Sequence, residues 1–248
     1  MAKSPKPRPV KAPKMAPKRA ATGPSRKMIY ATLGVALLAA VGLIGGALLL
    51  QSRNSSPSPS ATPAIDFRGI PQHGAVLGSP KAKVTLVWFA DVQCPLCREY
   101  AVDVLPTVVS QYARPGKVKT EFLGYPFIGP DSLKAERFLL AASEQNKLWP
   151  LMDAFYRNQG GENSGWLTDS LIRQLGSKVP GLDVDELFRR ARSEELGRAA
   201  EQSIADGQRI GISGTPTLLV KIGKSTPYQI SVSTPDQMRQ ALDDALSP

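Results

Sequence analysis

The feature that most constrains this chain is a junction. The apolar run Val84-Thr85-Leu86-Val87-Trp88-Phe89-Ala90 is followed, after three intervening residues, by Cys94-Pro95-Leu96-Cys97. Continuous β-branched and aromatic residues suit a central strand buried on both faces of a sheet. Pro95 suits the first turn of a helix, because it has no N–H to lose there. If a helix starts at this point, positions i and i+3 share a face and the two sulfurs can reach each other. They belong to the only two cysteines in 248 residues, so no structural disulfide framework competes for them. The pair has the geometry of a reversible dithiol/disulfide couple, and it is also half of a zinc site.

At a helix start, the macrodipole and unpaired N–H groups favour thiolate and can lower a cysteine to a pKa of roughly 3.5–7.5. Cys94, nearest the helix start and the more exposed, is the expected attacking thiol. Cys97, one turn in, is the expected resolving thiol that completes exchange through a mixed disulfide. A zinc site needs two more ligands. His73 is the only histidine, and it reads as a solvent-exposed loop residue in a Gly/Pro-rich stretch, with no ligand spacing around it. An inert local disulfide is the other structural alternative. The absence of nearby Met or His argues against a copper-handling thiol protein.

The net charge of +10 suggests nucleic acid until it is located. Residues 1–27 hold nine Lys/Arg, six prolines and no acid, while residues 28–248 hold 22 Lys/Arg against 21 Asp/Glu. The basicity belongs to a solvated tail, and a nucleic-acid-binding domain is not supported. Met28 to Leu50 is 23 residues without a charged side chain, enough as a helix for a ~30 Å hydrocarbon core. It is too long for a cleaved signal peptide and reads as a signal anchor. The positive-inside rule puts the N-terminus in the cytoplasm and everything after Gln51 outside it, where a dithiol pair can act as a catalyst. Residues 51–64 form a Ser/Pro linker, and the folded domain spans 65–248.

Within that domain, Val118–Leu123 reads as a second strand, so strand, helix and strand make a parallel βαβ unit, with Pro106 kinking the helix. A largely helical block then runs over about 131–210. It comprises two helices broken at Trp149-Pro150, a third over Thr168–Lys178, and a long fourth over Asp183–Gly207 with Asp183 as its cap. Thr217–Ile222 and Tyr228–Val232 read as strands, and Thr234-Pro235-Asp236-Gln237 opens a last helix.

A strand ending in Trp88-Phe89-Ala90-Asp91, followed by Cys94-Pro95-Leu96-Cys97 opening a helix, resembles the active-site turn of the thioredoxin superfamily. The helices inserted before Gly214-Thr215-Pro216-Thr217 make the chain similar to the DsbA-like branch. The resemblance covers roughly residues 68–246. It implies an α/β thioredoxin fold with an inserted helical domain, here preceded by one transmembrane helix. It also implies a cis-proline loop in which Thr215 and Pro216 line the substrate groove beside Cys94. Pro95 and Leu96 fill the active-site turn, and Leu96 stands where strongly oxidising members typically carry a histidine that stabilises thiolate.

The reading is an extracytoplasmic, membrane-anchored thiol–disulfide oxidoreductase that forms or rearranges disulfides in exported, cysteine-containing client proteins. It needs no cofactor beyond the redox-active Cys94–Cys97 disulfide, and the resemblance implies a quinone-linked membrane partner that reoxidises it. The alternatives are a reductase supplied with electrons across the membrane, and a tethered client-binding chaperone that is no enzyme.

Overall fold

The computed structural model describes residues 64–247. The tail over 1–27, the apolar span over 28–50 and the linker up to residue 63 lie outside the described residues. Among the described residues, no helix is long and apolar enough to cross a membrane.

Six strands form a single mixed sheet: β1 (Gln72–His73), β2 (Val76–Leu77), β3 (Val84–Ala90), β4 (Val118–Gly124), β5 (Thr217–Ile222) and β6 (Tyr228–Ile230), in the order β1-β2-β4-β3-β5-β6. The apolar run 84–90 is the inner strand β3, which runs parallel to β4 from Val84↔Val118 to Ala90↔Gly124. On its other side it runs antiparallel to β5, from Val84↔Ile222 to Phe89↔Thr217. That register brings the C-terminal end of β3, just before the cysteines, beside the start of β5, just after Thr215-Pro216. The chemistry of the site therefore depends on strand pairing between segments far apart in sequence.

Pleating sends alternate β3 side chains to opposite faces. Leu86 and Trp88 enter the main core, whereas Val87 and Phe89 pack on the other face with Tyr125 and Ile212. The helix after the cysteines, α1, is a continuous run over 95–113. Its α-helical turns (Pro95–Glu99, Leu105–Val108) alternate with π turns (Tyr100–Val104, Val109–Ala113). The expected kink at Pro106 takes this form: the chain widens to i→i−5 pairing just ahead of the proline, and the Leu105 N–H reaches the Tyr100 carbonyl. Wider pairing here relieves the clash that the Pro106 ring makes with the preceding turn of an α-helix.

Between β4 and β5 lie α2 (Pro130–Glu144), α3 (Leu148–Arg157), α4 (Asp169–Gly176), α5 (Val184–Ala191) and α6 (Glu194–Arg209), and α7 (Pro235–Leu246) closes the chain. Two expected boundaries are corrected. Trp149-Pro150 does not break a helix but lies in the first turn of α3, where Pro costs no hydrogen bond. The break falls at residues 145–147, where Asn146 takes a left-handed φ of 57°. The single helix expected over Asp183–Gly207 is two, because Ser193 caps α6 by accepting the Leu196 N–H. Asp183 caps α5 as expected, accepting the Glu186 N–H at 2.9 Å.

The helical block joins the sheet through aromatic packing. Trp88 of β3 stacks on Tyr156 of α3 with ring centroids 5.6 Å apart, and Phe138 of α2 meets Phe188 of α5 edge-on at 4.8 Å. In α3, Trp149, Leu151, Met152, Phe155 and Tyr156 are fully buried. At roughly 1.5–3 kcal/mol per large apolar side chain, this one helix contributes heavily to the core. His73 is exposed, as expected, but it sits in the short strand β1 rather than in a loop.

Candidate active site at the Cys94–Cys97 turn

Cys94 is the N-cap of α1. Its backbone is extended (φ −68°, ψ 121°), and its sulfur accepts the Cys97 N–H at 3.3 Å. Pro95 occupies the first helical turn and Leu96 is 59% exposed. Both cysteines are buried: Cys94 keeps 6% of its surface and Cys97 none. Cys94 is the more accessible of the two by a narrow margin.

Electrostatically the two thiols differ. The Cys94 thiol is lowered to about 6, first by its hydrogen bond with the Cys97 thiol, then by the Thr215 side chain and the Cys97 and Leu96 amides, against an opposing effect of burial. Burial first, then the hydrogen bond and negative charge of Cys94, push the Cys97 thiol well up. One sulfur is therefore a ready nucleophile and leaving group near neutral pH, and the other keeps its proton.

The Thr215–Pro216 bond is cis. As a thiol, Cys94 donates to the Thr215 carbonyl at 3.3 Å. The Thr215 hydroxyl is buried without a hydrogen-bond partner, and its capacity to donate to a thiolate lowers both thiols. Beside them, Leu96, Glu99, Tyr100, Thr215, Pro216 and Gln229 border a groove of about 380 Å³. All six residues singled out from sequence (Cys94, Pro95, Leu96, Cys97, Thr215 and Pro216) thus meet at one place. Among the described residues, no group of three or more His, Cys, Asp or Glu could hold a metal ion.

A polar network beneath the turn was not legible in the sequence. Asp91 accepts the Gln93 N–H at 2.8 Å, the Ser132 hydroxyl at 2.6 Å and the Ile128 N–H at 3.0 Å. Even so, burial raises its carboxyl above the ordinary range. The Gln93 carboxamide donates to Ser132 and Asn163. The Tyr156 hydroxyl donates to the Asp91 carbonyl, and the Gln159 carboxamide donates to the carbonyls of Val92 and Cys94. The only local signal was Asp91 two residues before Gln93, the spacing of an Asx turn.

The family model described as Thioredoxin matches residues 72–244. A probable disulfide bond formation protein D of Bacillus cereus is 30% identical over 173 residues, spanning 68% of this chain and 77% of that protein. Disulfide bond formation protein D of Bacillus subtilis is 26% identical over 151 residues, 58% of this chain and 66% of that one. Among solved structures, oxidised BdbD from Bacillus subtilis superposes with a TM-score of 0.61 at 22% identity, covering 76% of this chain and 99% of that chain. The alpha-DsbA1 of Wolbachia pipientis gives 0.61 at 17% identity, covering 73% and 93%. The chain belongs to the thioredoxin family, within which it is a thiol–disulfide oxidoreductase.

Proposed function

We propose that this protein oxidises the cysteines of exported client proteins from the outer side of a cell membrane, to which residues 28–50 anchor it. The observation that carries this reading is the asymmetry of the dithiol, with Cys94 lowered to about 6 and Cys97 pushed well up. A stabilised Cys94 thiolate stabilises the reduced form, which makes the disulfide a stronger oxidant. The stabilisation comes from Cys97, Thr215 and backbone amides, so a histidine at position 96 is not required for it. The names of the curated relatives, disulfide bond formation proteins, support the same direction.

In this mechanism a client thiolate attacks Cys94 Sγ of the Cys94–Cys97 disulfide. The S–S bond breaks, Cys97 leaves with the electron pair and takes up a proton, and a client–Cys94 disulfide forms. A second client thiolate then attacks the client sulfur of that bond and expels Cys94, whose low pKa makes it a good leaving group. The client loses two electrons and gains a disulfide, while the enzyme is left as the dithiol. Thr215 and Pro216 line the groove that receives the client backbone. A quinone-linked membrane partner takes the two electrons and restores the enzyme disulfide.

Trapping on a Cys97→Ala variant tests the reading. The remaining Cys94 thiolate attacks a client disulfide and expels one client thiolate, and without Cys97 to break the new bond, exported cysteine-containing proteins should accumulate as mixed disulfides on Cys94. If none accumulates, or if a Cys94→Ala variant still supports disulfide formation, exchange through this pair is ruled out.

A further inference from the structure

The loop between β3 and α1 is held by side chains from the end of α3. The Tyr156 hydroxyl donates to the Asp91 carbonyl at 3.1 Å, and that carbonyl also accepts the Cys94 N–H at 3.0 Å. Three residues further on, the Gln159 carboxamide nitrogen lies 2.6 Å from the Val92 carbonyl and 3.1 Å from the Cys94 carbonyl. An NH₂ group carries two hydrogens and can serve both acceptors at once. Gln159 itself is only 7% exposed. The chain after it is fixed by Gly160, where an added Cβ would fall 2.4 Å from the Cβ of Trp166.

We infer that Gln159 is a positioning residue for disulfide exchange, its carboxamide holding the Val92 and Cys94 carbonyls so that the first amides of α1 stay aimed at the Cys94 sulfur. The inference rests on Cys94 being the attacking thiol, as proposed above. Satisfying a buried carbonyl does not explain the contact to Cys94, because that carbonyl already accepts the Arg98 N–H at 3.1 Å. The added donor acts on aim. The ψ angle of Cys94 decides both where its carbonyl points and where the following amides lie relative to its sulfur. A bridge between the carbonyls on either side of Gln93 fixes that angle. The Cys97 N–H, 3.3 Å from Cys94 Sγ, depends on it directly. The same carboxamide hydrogens also bring partial positive charge to the backbone next to a sulfur that must carry negative charge.

The test uses the full chain with Gln159→Leu, Gln159→Glu and, as a control for lost stability, Phe138→Leu in α2. The readouts are the pH profile of Cys94 alkylation and the equilibrium of the dithiol with glutathione. Gln159→Leu should raise the Cys94 pKa by about half a unit and shift the glutathione equilibrium about threefold toward the disulfide, since one unit is about tenfold. Phe138→Leu should lower the melting temperature and move neither. Gln159→Glu keeps the shape but has one O–H for the two carbonyls while protonated and none once ionised, so its Cys94 reactivity should fall below the parent's, and further as the carboxyl ionises. A low parent value left unmoved by Gln159→Leu and Gln159→Glu, or moved equally by Phe138→Leu, overturns this inference alone. A parent Cys94 that titrates in the ordinary thiol range overturns the attacking-thiol reading and this inference with it.

Discussion

The carbonyl of Thr215 lies 3.3 Å from Cys94 Sγ, across 121 positions of sequence. Antiparallel pairing of Phe89 with Thr217 brings the two together, so the sheet itself assembles the site. The Thr215 hydroxyl on the same residue is buried and unpartnered, free to donate to a thiolate when one forms, which lowers both thiols.

Thr215→Val keeps the shape and removes that hydroxyl. Relieving an unsatisfied buried polar group is worth about 1–3 kcal/mol, so the variant should be at least as stable as the parent. Its Cys94 pKa should nevertheless rise by a few tenths of a unit, a change of about 0.5 kcal/mol in thiolate stabilisation. Chemical denaturation and the thiolate absorbance profile read the two effects separately.

The stability of the reduced protein should depend on pH through Cys94. Its folded pKa, about 6, lies below the ordinary thiol value of 9.0. The lowered group contributes stability that is complete above that ordinary value and is lost as pH falls toward 6, at up to about 1.4 kcal/mol per pH unit. The disulfide form has no such thiol. Denaturation of both forms at several pH values should show the reduced form gaining on the oxidised form as pH rises through this window.

Glu136 works in the opposite direction. Burial first, then the neighbouring Asp91, raise its carboxyl from 4.5 to about 8. A raised pKa contributes stability that is complete below 4.5 and is lost as pH climbs toward 8. Glu136→Gln should flatten this slope in the oxidised protein and leave the fold intact. The carboxyl lies against Gly124, where an added Cβ would sit 1.9 Å from its Oε2. Gly124→Ala should therefore displace that carboxyl and lower the melting temperature, and thermal melts across this pH range check both variants.

Asp153 and Arg157 form a buried ion pair at 2.9 Å in α3 and its C-terminal turn. Burial raises the Asp153 carboxyl, and Arg157 opposes the rise. Removing the cation alone, with Arg157→Leu, should cost about 3–5 kcal/mol because it strands a buried charge. Replacing both residues with apolar ones should recover much of that loss. A double-mutant cycle in urea measures the coupling.

Legibility from sequence followed the range of the interactions. β3 was read to its ends because a strand buried on both faces is a continuous apolar run. The two-residue strands β1 and β2 carry too little sequence to show a period, and both were missed. Ser193 was absorbed into one long helix because the helical spacing on either side of it hid its role as a cap. Cys94, Cys97, Thr215 and Pro216 were legible because each belongs to a short motif. Ser132, Tyr156, Gln159 and Asn163 were not, because they reach the turn from 39 to 70 positions away.

The proposed oxidant role rests on a Cys94–Cys97 disulfide poised by a stabilised Cys94 thiolate. Its reduction potential, measured by equilibration with glutathione, tests this most directly. A value toward the about −120 mV of a strong disulfide donor is expected, and one near the about −270 mV of a dedicated reductant contradicts the oxidant role.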